Sequence, residues 1–279
     1  MGGVDGTTRK VPALPHPPRP TASGLGAGLP YPSLDLPSTT IHHRMAGGGK
    51  DGEAMTAITA PDFRVVRTDV PRLRPEPGTT LSLMVLAADA TYCAGVDLDT
   101  GVLVRAWSPA VPVQRPRAYD VVDVTLGAGA DGDVDAVPDP AQPEAIVLAG
   151  PPQPAGSMPA RRAERLLRPL LHPADAPLLS SHGPTVPFWE RRADHPSIAL
   201  VEPLGPVRLH RDSSYLACRF PWLGVQRELP CLDRRVAGGM DSAGQRHLVT
   251  PRRTRLVVAL TPPIDGHCHK VVEAVLPHP

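Results

Sequence analysis

Proline sets the first limit on this chain. It occurs 37 times in 279 residues, beside 25 glycines, a share that approaches the level at which part of a chain stays disordered. Residues 1–78 carry segments such as Pro15-His16-Pro17-Pro18-Arg19-Pro20 and Gly47-Gly48-Gly49. These have no apolar period and cannot bury enough surface to offset the entropy of ordering. The expectation is a disordered, Pro/Gly-rich tail over 1–78. Met45 and Met55 lie inside it, so Met1, Met45 and Met55 are all candidate starts. The proline run satisfies a loose PxxP pattern for a proline-rich ligand, a match that chance also supplies in so proline-rich a chain.

Beyond the tail the apolar runs are short. Leu81-Ser82-Leu83-Met84-Val85-Leu86-Ala87 reads as a buried strand. Residues 101–106 form a second strand after the turn signal Asp97-Leu98-Asp99-Thr100-Gly101. In 119–126, Val122, Val124 and Leu126 alternate with Asp123 and Thr125, as a half-buried strand requires. Residues 127–143 read as a Gly/Asp/Pro loop, and 145–149 as a fourth strand. Ala163, Leu166, Leu167, Leu170 and Leu171 then fall at helical spacing, with Ser157 and Pro159 as an N-cap and an early helical proline and Pro169 as the stop. Residues 173–196 read as irregular. A second β-rich set follows at 197–201, 214–220, 225–232, 255–261 and 270–276. Pro221-Trp222-Leu223-Gly224 connects its second and third members, and the longest gap, 234–250, separates its third from its fourth. That layout suits an OB-fold, a small five-stranded Greek-key barrel, among other small β folds. The expected class is therefore mainly β with a small helical part. It comprises the tail (1–78), a first OB-like unit (79–155), a helical and irregular connector (156–196) and a second OB-like unit (197–279).

Net charge is +1, which removes the whole-chain argument for a nucleic-acid or membrane partner. Lysine occurs only at Lys10, Lys50 and Lys270; the arginine bias reflects either a GC-rich genome or a preference for bidentate anion contacts. Cys93, Cys218, Cys231 and Cys268 form no CxxC pair, so neither a zinc ribbon nor a thioredoxin-type site is indicated. They are also too scattered for a secreted disulfide scaffold. No apolar run follows Arg9 and Lys10 as a secretory signal would, and the longest apolar stretch, near 81–88, falls far short of a membrane span. A cytoplasmic location is expected by elimination.

Several motifs carry a family resemblance. They are Leu83-Met84-Val85-Leu86-Ala87, Cys93-Ala94-Gly95, and Gly101 followed by Val104-Arg105 and Ser108. Later come Gln142-Pro143-Glu144, Cys218-Arg219-Phe220 running through Val225 to Asp233, and the closing Ala259-Leu260 and Lys270-Val271-Val272-Glu273-Ala274. Together they resemble the bacterial dual OB-containing domain family across about 81–277. Leu103, Ala106 and Trp107 depart from it, standing where that family tends to have tryptophan, proline and valine. The resemblance implies two OB-like barrels and nucleic-acid or nucleotide-related binding. It transfers no catalytic residue. It also assigns Arg105 and Ser108 structural roles at the end of the second strand, with Arg105 partly buried against a carboxylate or carbonyl.

From Val201 onward, arginines outnumber carboxylates, an asymmetry that suits phosphate contacts. OB-folds that hold single strands add aromatic rings to a positive groove. The candidate ligand-binding residues are accordingly Arg105, Tyr215, Arg219, Trp222 and Arg227. The competing reading puts Phe220 and Trp222 in a core and leaves the arginines solvated. Asp265-Gly266-His267-Cys268-His269 holds metal-ligand types but no converging partner pair, so a surface hairpin is expected and no metal. His42-His43 in the tail adds nothing to this. Gly-x-Ser-x-Gly and the phosphate-binding Gly-x-x-x-x-Gly-Lys loop are both absent from the sequence, so no catalytic residue and no cofactor is expected. His210 near Asp212-Ser213-Ser214 is proximity in sequence only, and Cys93 reads as a small buried hydrophobe before a reactive thiol. The leading reading is a non-catalytic binding or accessory module for single-stranded nucleic acid or a nucleotide-containing ligand. The alternative is a protein-interaction scaffold with closed barrels, and an enzyme with a site between the halves has least support. Arg219, Arg227 and the rings sharing one exposed groove would separate the first two.

Overall fold

The structure is a computed structural model and describes residues 76–90, 92–108, 115–127, 141–192, 194–211, 215–250 and 253–276. The expected tail up to residue 75, with Met45, Met55 and His42-His43, lies outside the described residues, as do Asp212, Ser213 and Ser214.

The first half contains six strands: β1 (Thr80–Ala88), β2 (Tyr92–Asp97), β3 (Leu103–Trp107), β4 (Asp120–Thr125), β5 (Ala145–Val147) and β6 (Gln153–Ser157). Helix α1 (Ala160–Leu167) follows, continued by a 3-10 turn at Arg168–Leu170. Pro169 stops the α-helix because it has no amide to donate. Strand β7 (Thr185–Pro187) and a 3-10 turn at Phe188–Glu190 come next. The second half contains β8 (Ile198–Val201), β9 (Arg208–Arg211), β10 (Leu216–Trp222), β11 (Val225–Pro230), helix α2 (Arg234–Ser242), β12 (His247–Val249), β13 (Arg255–Leu260) and β14 (His267–Leu276). The protein is thus mainly β with two short helices.

The strand order of the first sheet is β5-β3-β2-β1-β4-β6. Strands β3 and β5 run parallel, while β1 pairs antiparallel with both β2 and β4. Leu126, one residue past β4, bridges Leu148, one residue past β5. Gly127 N donates to Val147 O at 2.9 Å and Ala149 N to Thr125 O at 2.8 Å. The sheet therefore curls until β4 and β5 touch, with β6 outside that ring.

Two four-stranded sheets make up the second half, ordered β11-β10-β9-β12 and β7-β14-β13-β8. They meet where Cys231, just past β11, bridges Val272 of β14 in parallel; Leu232 N donates to Val272 O at 2.8 Å. The chain runs from β8, the edge of one sheet, through residues 202–207 into β9, an inner strand of the other.

Three apolar clusters result. Leu81, Leu83, Val85, Val104, Val122 and Val124 fill the inside of the curled first sheet. Val201, Leu209, Phe220, Trp222, Leu256 and Val272 belong to the core of the second half. Between them, Met84, Leu86, Ala94 and Val96 pack on α1 and on Leu200, Val257, Ala259 and Leu276. Strand β1 is buried on both faces, which is why its sequence is a continuous apolar run and not an alternating one.

Some expectations need correction. Ser157 is the last residue of β6, not a helix cap; Pro159 holds the N-cap position with no side-chain cap bond. Residues 173–196 are not wholly irregular, because they contain β7 and two 3-10 turns. The gap at 234–250 is α2 and β12.

Candidate binding face

Arg105 lies on β3 and points at the second half, where it is 2% exposed. Its Nη2 donates to Glu273 Oε1 at 3.0 Å, its Nη1 to Leu260 O at 3.0 Å and Ser197 Oγ at 3.4 Å, and its Nε to Tyr92 Oη at 3.2 Å. Glu273 is the extra residue of a bulge, since Val257 pairs with Ala274 and Val258 with Val272. A bulge re-aims a side chain, and here it turns Glu273 toward Arg105. Tyr92 Oη donates to the other Glu273 oxygen. Desolvation by burial, reinforced by Glu273, raises the Tyr92 phenol well above its ordinary value and keeps it a donor. Ser197 N and Oγ both donate to Glu144. Ser108 is buried, with Oγ donating to Gly150 O at 3.2 Å. Arg105 thus meets a carboxylate and a carbonyl, as the sequence suggested. Its place is a joint between the halves, closed to a ligand arriving from solvent.

Register assigns faces in the second half. Residues directly opposite in an antiparallel pair share a side of the sheet. Arg219 opposes Glu228 and Arg208, while Ala217 opposes His210, which in turn opposes His247. This outer face is open: Arg208, Arg219, Glu228, His247 and Val249 are exposed. Half-buried Tyr215 immediately precedes β10. Arg219 and His210 both reach Glu228, the latter at 3.8 Å, and the His210 and His247 rings stack at 6.5 Å.

Trp222 and Arg227 belong to the other side. Arg227 opposes Phe220, and Phe220, Trp222 and Cys218 are core residues. The Trp222 ring is 3% exposed, and its Nε1 donates to Ala176 O at 3.0 Å. Arg227 Nη1 donates to His182 O at 2.6 Å. Lys270 is 2% exposed, and its Nζ donates to Ser181 O. Desolvation by burial, then the charges of Arg227 and Arg191, push the Lys270 ammonium down to about 7. The five sequence candidates therefore do not converge: Arg219 is on the outer face, Trp222 and Arg227 are on the opposite side, Arg105 is in the joint, and Tyr215 precedes β10.

The exposed aromatic that sequence reading missed is Trp189. It is 70% exposed, beside Phe188 at 37%, and meets His267 edge-on at 5.4 Å. Its only sequence signal was an aromatic pair, Phe188-Trp189, in a stretch with no apolar period.

All four cysteines are buried and reduced. Burial pushes the Cys93 and Cys231 thiols up to about 12, which leaves almost no thiolate at neutral pH. Cys268 enters the core, and among the described residues no three metal-ligand side chains converge. Among the described residues no helix is long and apolar enough to cross a membrane. Compared with protein-family models, curated proteins and solved structures, the chain matches none.

Proposed function

We propose that this chain is a non-catalytic binding module built on two OB-like barrels, and that it holds a single-stranded nucleic acid or a nucleotide-containing ligand on the outer face of β11-β10-β9-β12. The strand circuits support the barrels. In the first half β1-β2-β3-β5-β4 returns on itself through the Leu126–Leu148 bridge. In the second, β9-β10-β11 and β14-β13-β8 meet through Cys231–Val272 and the chain runs from β8 into β9, so that β8 and β9 together take the first place in the circuit and α2 lies between its third and fourth strands, β11 and β13. OB-folds bind oligonucleotides on the face of their second and third strands, the positions that β10 and β11 occupy in this ring.

The observation that carries the reading is the charge of that face. Arg208, Arg219, His210 and His247 project from it, and Glu228 is the one carboxylate at its paired positions. A polyanion meets two arginines and two histidines against a single carboxylate, Glu228, which Arg219 and His210 already engage. The test is a titration of labelled single-stranded DNA and RNA at several salt concentrations. Affinity should fall as salt rises, because neutralised phosphates release counterions, and Arg208→Ala with Arg219→Ala should reduce the log–log slope by about 1.4. Absence of binding at low salt overturns the reading.

A second reading, a protein-interaction scaffold, draws support from Trp189. An exposed tryptophan with Phe188 and the 39%-exposed Ile264 nearby is the kind of apolar anchor that protein interfaces use. Failure of the nucleic-acid titration would promote it.

A further inference from the structure

Three donors from separate positions in the second half all end on one short segment. Trp222 Nε1 reaches Ala176 O, Lys270 Nζ reaches Ser181 O and Arg227 Nη1 reaches His182 O. The same segment places Leu178 and Leu179 in the core, so residues 176–184 form a strap closing this side of the sheet. We propose that the strap is a displaceable cover over an anion-binding cradle formed by Lys270 and Arg227 beside Trp222, and that the cradle takes a phosphoryl group.

Among the described residues, neither Lys270 nor Arg227 is in an ion pair. The charged groups facing Lys270 are Arg227 on β11 and Arg191 after β7, both cations, and half-buried His172 lies within its field. Lys270, 2% exposed, is a costly cation there unless an anion compensates it, and Arg227 beside it is half-buried and reaches solvent. A main-chain carbonyl supplies only a dipole, and hydrogen bonds from a cation to an anionic oxygen are roughly twice as strong as neutral ones. The strap's oxygens therefore occupy positions that phosphate oxygens would fill better.

The strap is also strained. Leu179 has φ 50° and Ser180 φ 65°, a region that residues bearing a Cβ rarely adopt. Such strain persists only where surrounding contacts hold it; here the holding contacts include the two cations. A ligand that takes those donors removes part of what keeps the strap in this conformation. The cradle is distinct from the outer sheet face, because Arg227 and Arg219 point to opposite sides of β10 and β11.

The test uses the full chain and sodium pyrophosphate at low salt. Calorimetry gives affinity, and hydrogen exchange follows the amides of Ser180, Ser181 and Gly183, which bond within the strap. Pyrophosphate should bind, and those amides should lose protection as it does. Arg227→Gln and Lys270→Met should each weaken binding by about tenfold or more, as expected for loss of a charge-assisted contact. Arg161→Ala, at an exposed arginine of α1 away from both faces, should bind as the wild type does. No binding, binding that survives both cradle substitutions, or binding with strap protection unchanged would each overturn the proposal. Binding lost in Arg219→Ala but kept in Arg227→Gln would move the anion to the outer face, so this proposal fails while the functional reading stands. If Lys270→Met does not fold, Arg227→Gln and the exchange measurement still decide.

Discussion

Replacing Lys270 with methionine should make stability at neutral pH rise and should remove a pH dependence. The lysine amine has an ordinary value of 10.5 and is held down to about 7 in the folded chain, by desolvation first and then by Arg227 and Arg191. Between those two values the unfolded chain binds a proton that the folded chain refuses. Stability therefore rises with pH across the window from 7 to 10.5. The cost is fully present below pH 7 and gone above 10.5. Each unit of displacement is worth about 1.4 kcal/mol, which puts a ceiling of roughly 5 kcal/mol on the effect. Methionine carries no proton and fits a similar volume, so the variant lacks this slope. It also orphans Ser181 O, at about 1–3 kcal/mol. The two stability curves should then cross: the variant is ahead by about 2–4 kcal/mol at pH 6 and behind at pH 10. Buried thiols act oppositely, because Cys93 and Cys231 are pushed up to about 12 by burial and the unfolded chain loses those protons first. That contribution is common to both proteins and cancels in their difference. Urea melts of the pair from pH 6 to 10 measure it. A difference that stays flat with pH, or that grows in favour of the wild type on acidification, refutes the argument.

Arg105→Met should cost about 3–5 kcal/mol in a urea melt by leaving Glu273 buried without its cation, and Arg105→Met with Glu273→Leu should recover much of that. Gly95→Ala should cost about 1–3 kcal/mol, because its Cβ would lie 2.6 Å from Met84 O and β1 and β2 must part; a silent thermal melt would contradict the strand contact. Asp233 caps α2 by accepting from Arg235 N at 3.0 Å and Val236 N at 3.1 Å, and it also accepts from Val275 N at 2.9 Å. Asp233→Ala should lose about 1–2 kcal/mol for the cap and ~1–3 kcal/mol for the orphaned Val275 amide. Asp233→Asn should recover the cap share, and circular-dichroism melts of the two distinguish the contributions.

Strands with apolar or alternating runs were legible in the sequence: β1, β3, β4, β5, β8, β10, β11, β13 and β14 all coincide with runs identified there. Those missed are exposed, very short or built of small residues. Strand β6 reads Gln-Pro-Ala-Gly-Ser and is exposed throughout, held by its ladder with β4 alone. Strand β9 buries only Leu209. Strand β2 carries Ala94 and Gly95 because it runs against Met84 backbone, and small residues there look like a turn. Helix α2 buries only Met240 and contains a glycine pair, so its one sequence signal was Asp233 as a cap. Among the candidate site residues, the split between Arg219 and Arg227 was legible in principle. Leu223 and Gly224, both at positive φ, make a two-residue hairpin turn. That turn sets Trp222 against Val225, hence Phe220 against Arg227 and Arg219 against Glu228. Lys270 was not legible: only the fold brings the 181–184 segment and two arginines around it.

The two halves use the same kind of surface differently. In the first half the outer face of β1, β2 and β3 carries Met84, Leu86, Ala94, Val96 and Arg105, and all five are buried against the second half. That face is spent on assembly: its apolar residues meet Leu200, Val257 and Ala259, and its one cation is neutralised by Glu273. The corresponding face of β9, β10 and β11 carries Arg208, His210 and Arg219, and stays open. Burying it as the first is buried would strand two arginines without enough carboxylates, because Glu228 is the one acid among its paired positions. Its composition therefore suits solvent or an anionic partner and opposes packing against a second apolar sheet. The Arg105–Glu273 joint fixes the first half against the second, so on the proposed reading the first half serves as the support and the open face of the second meets the ligand.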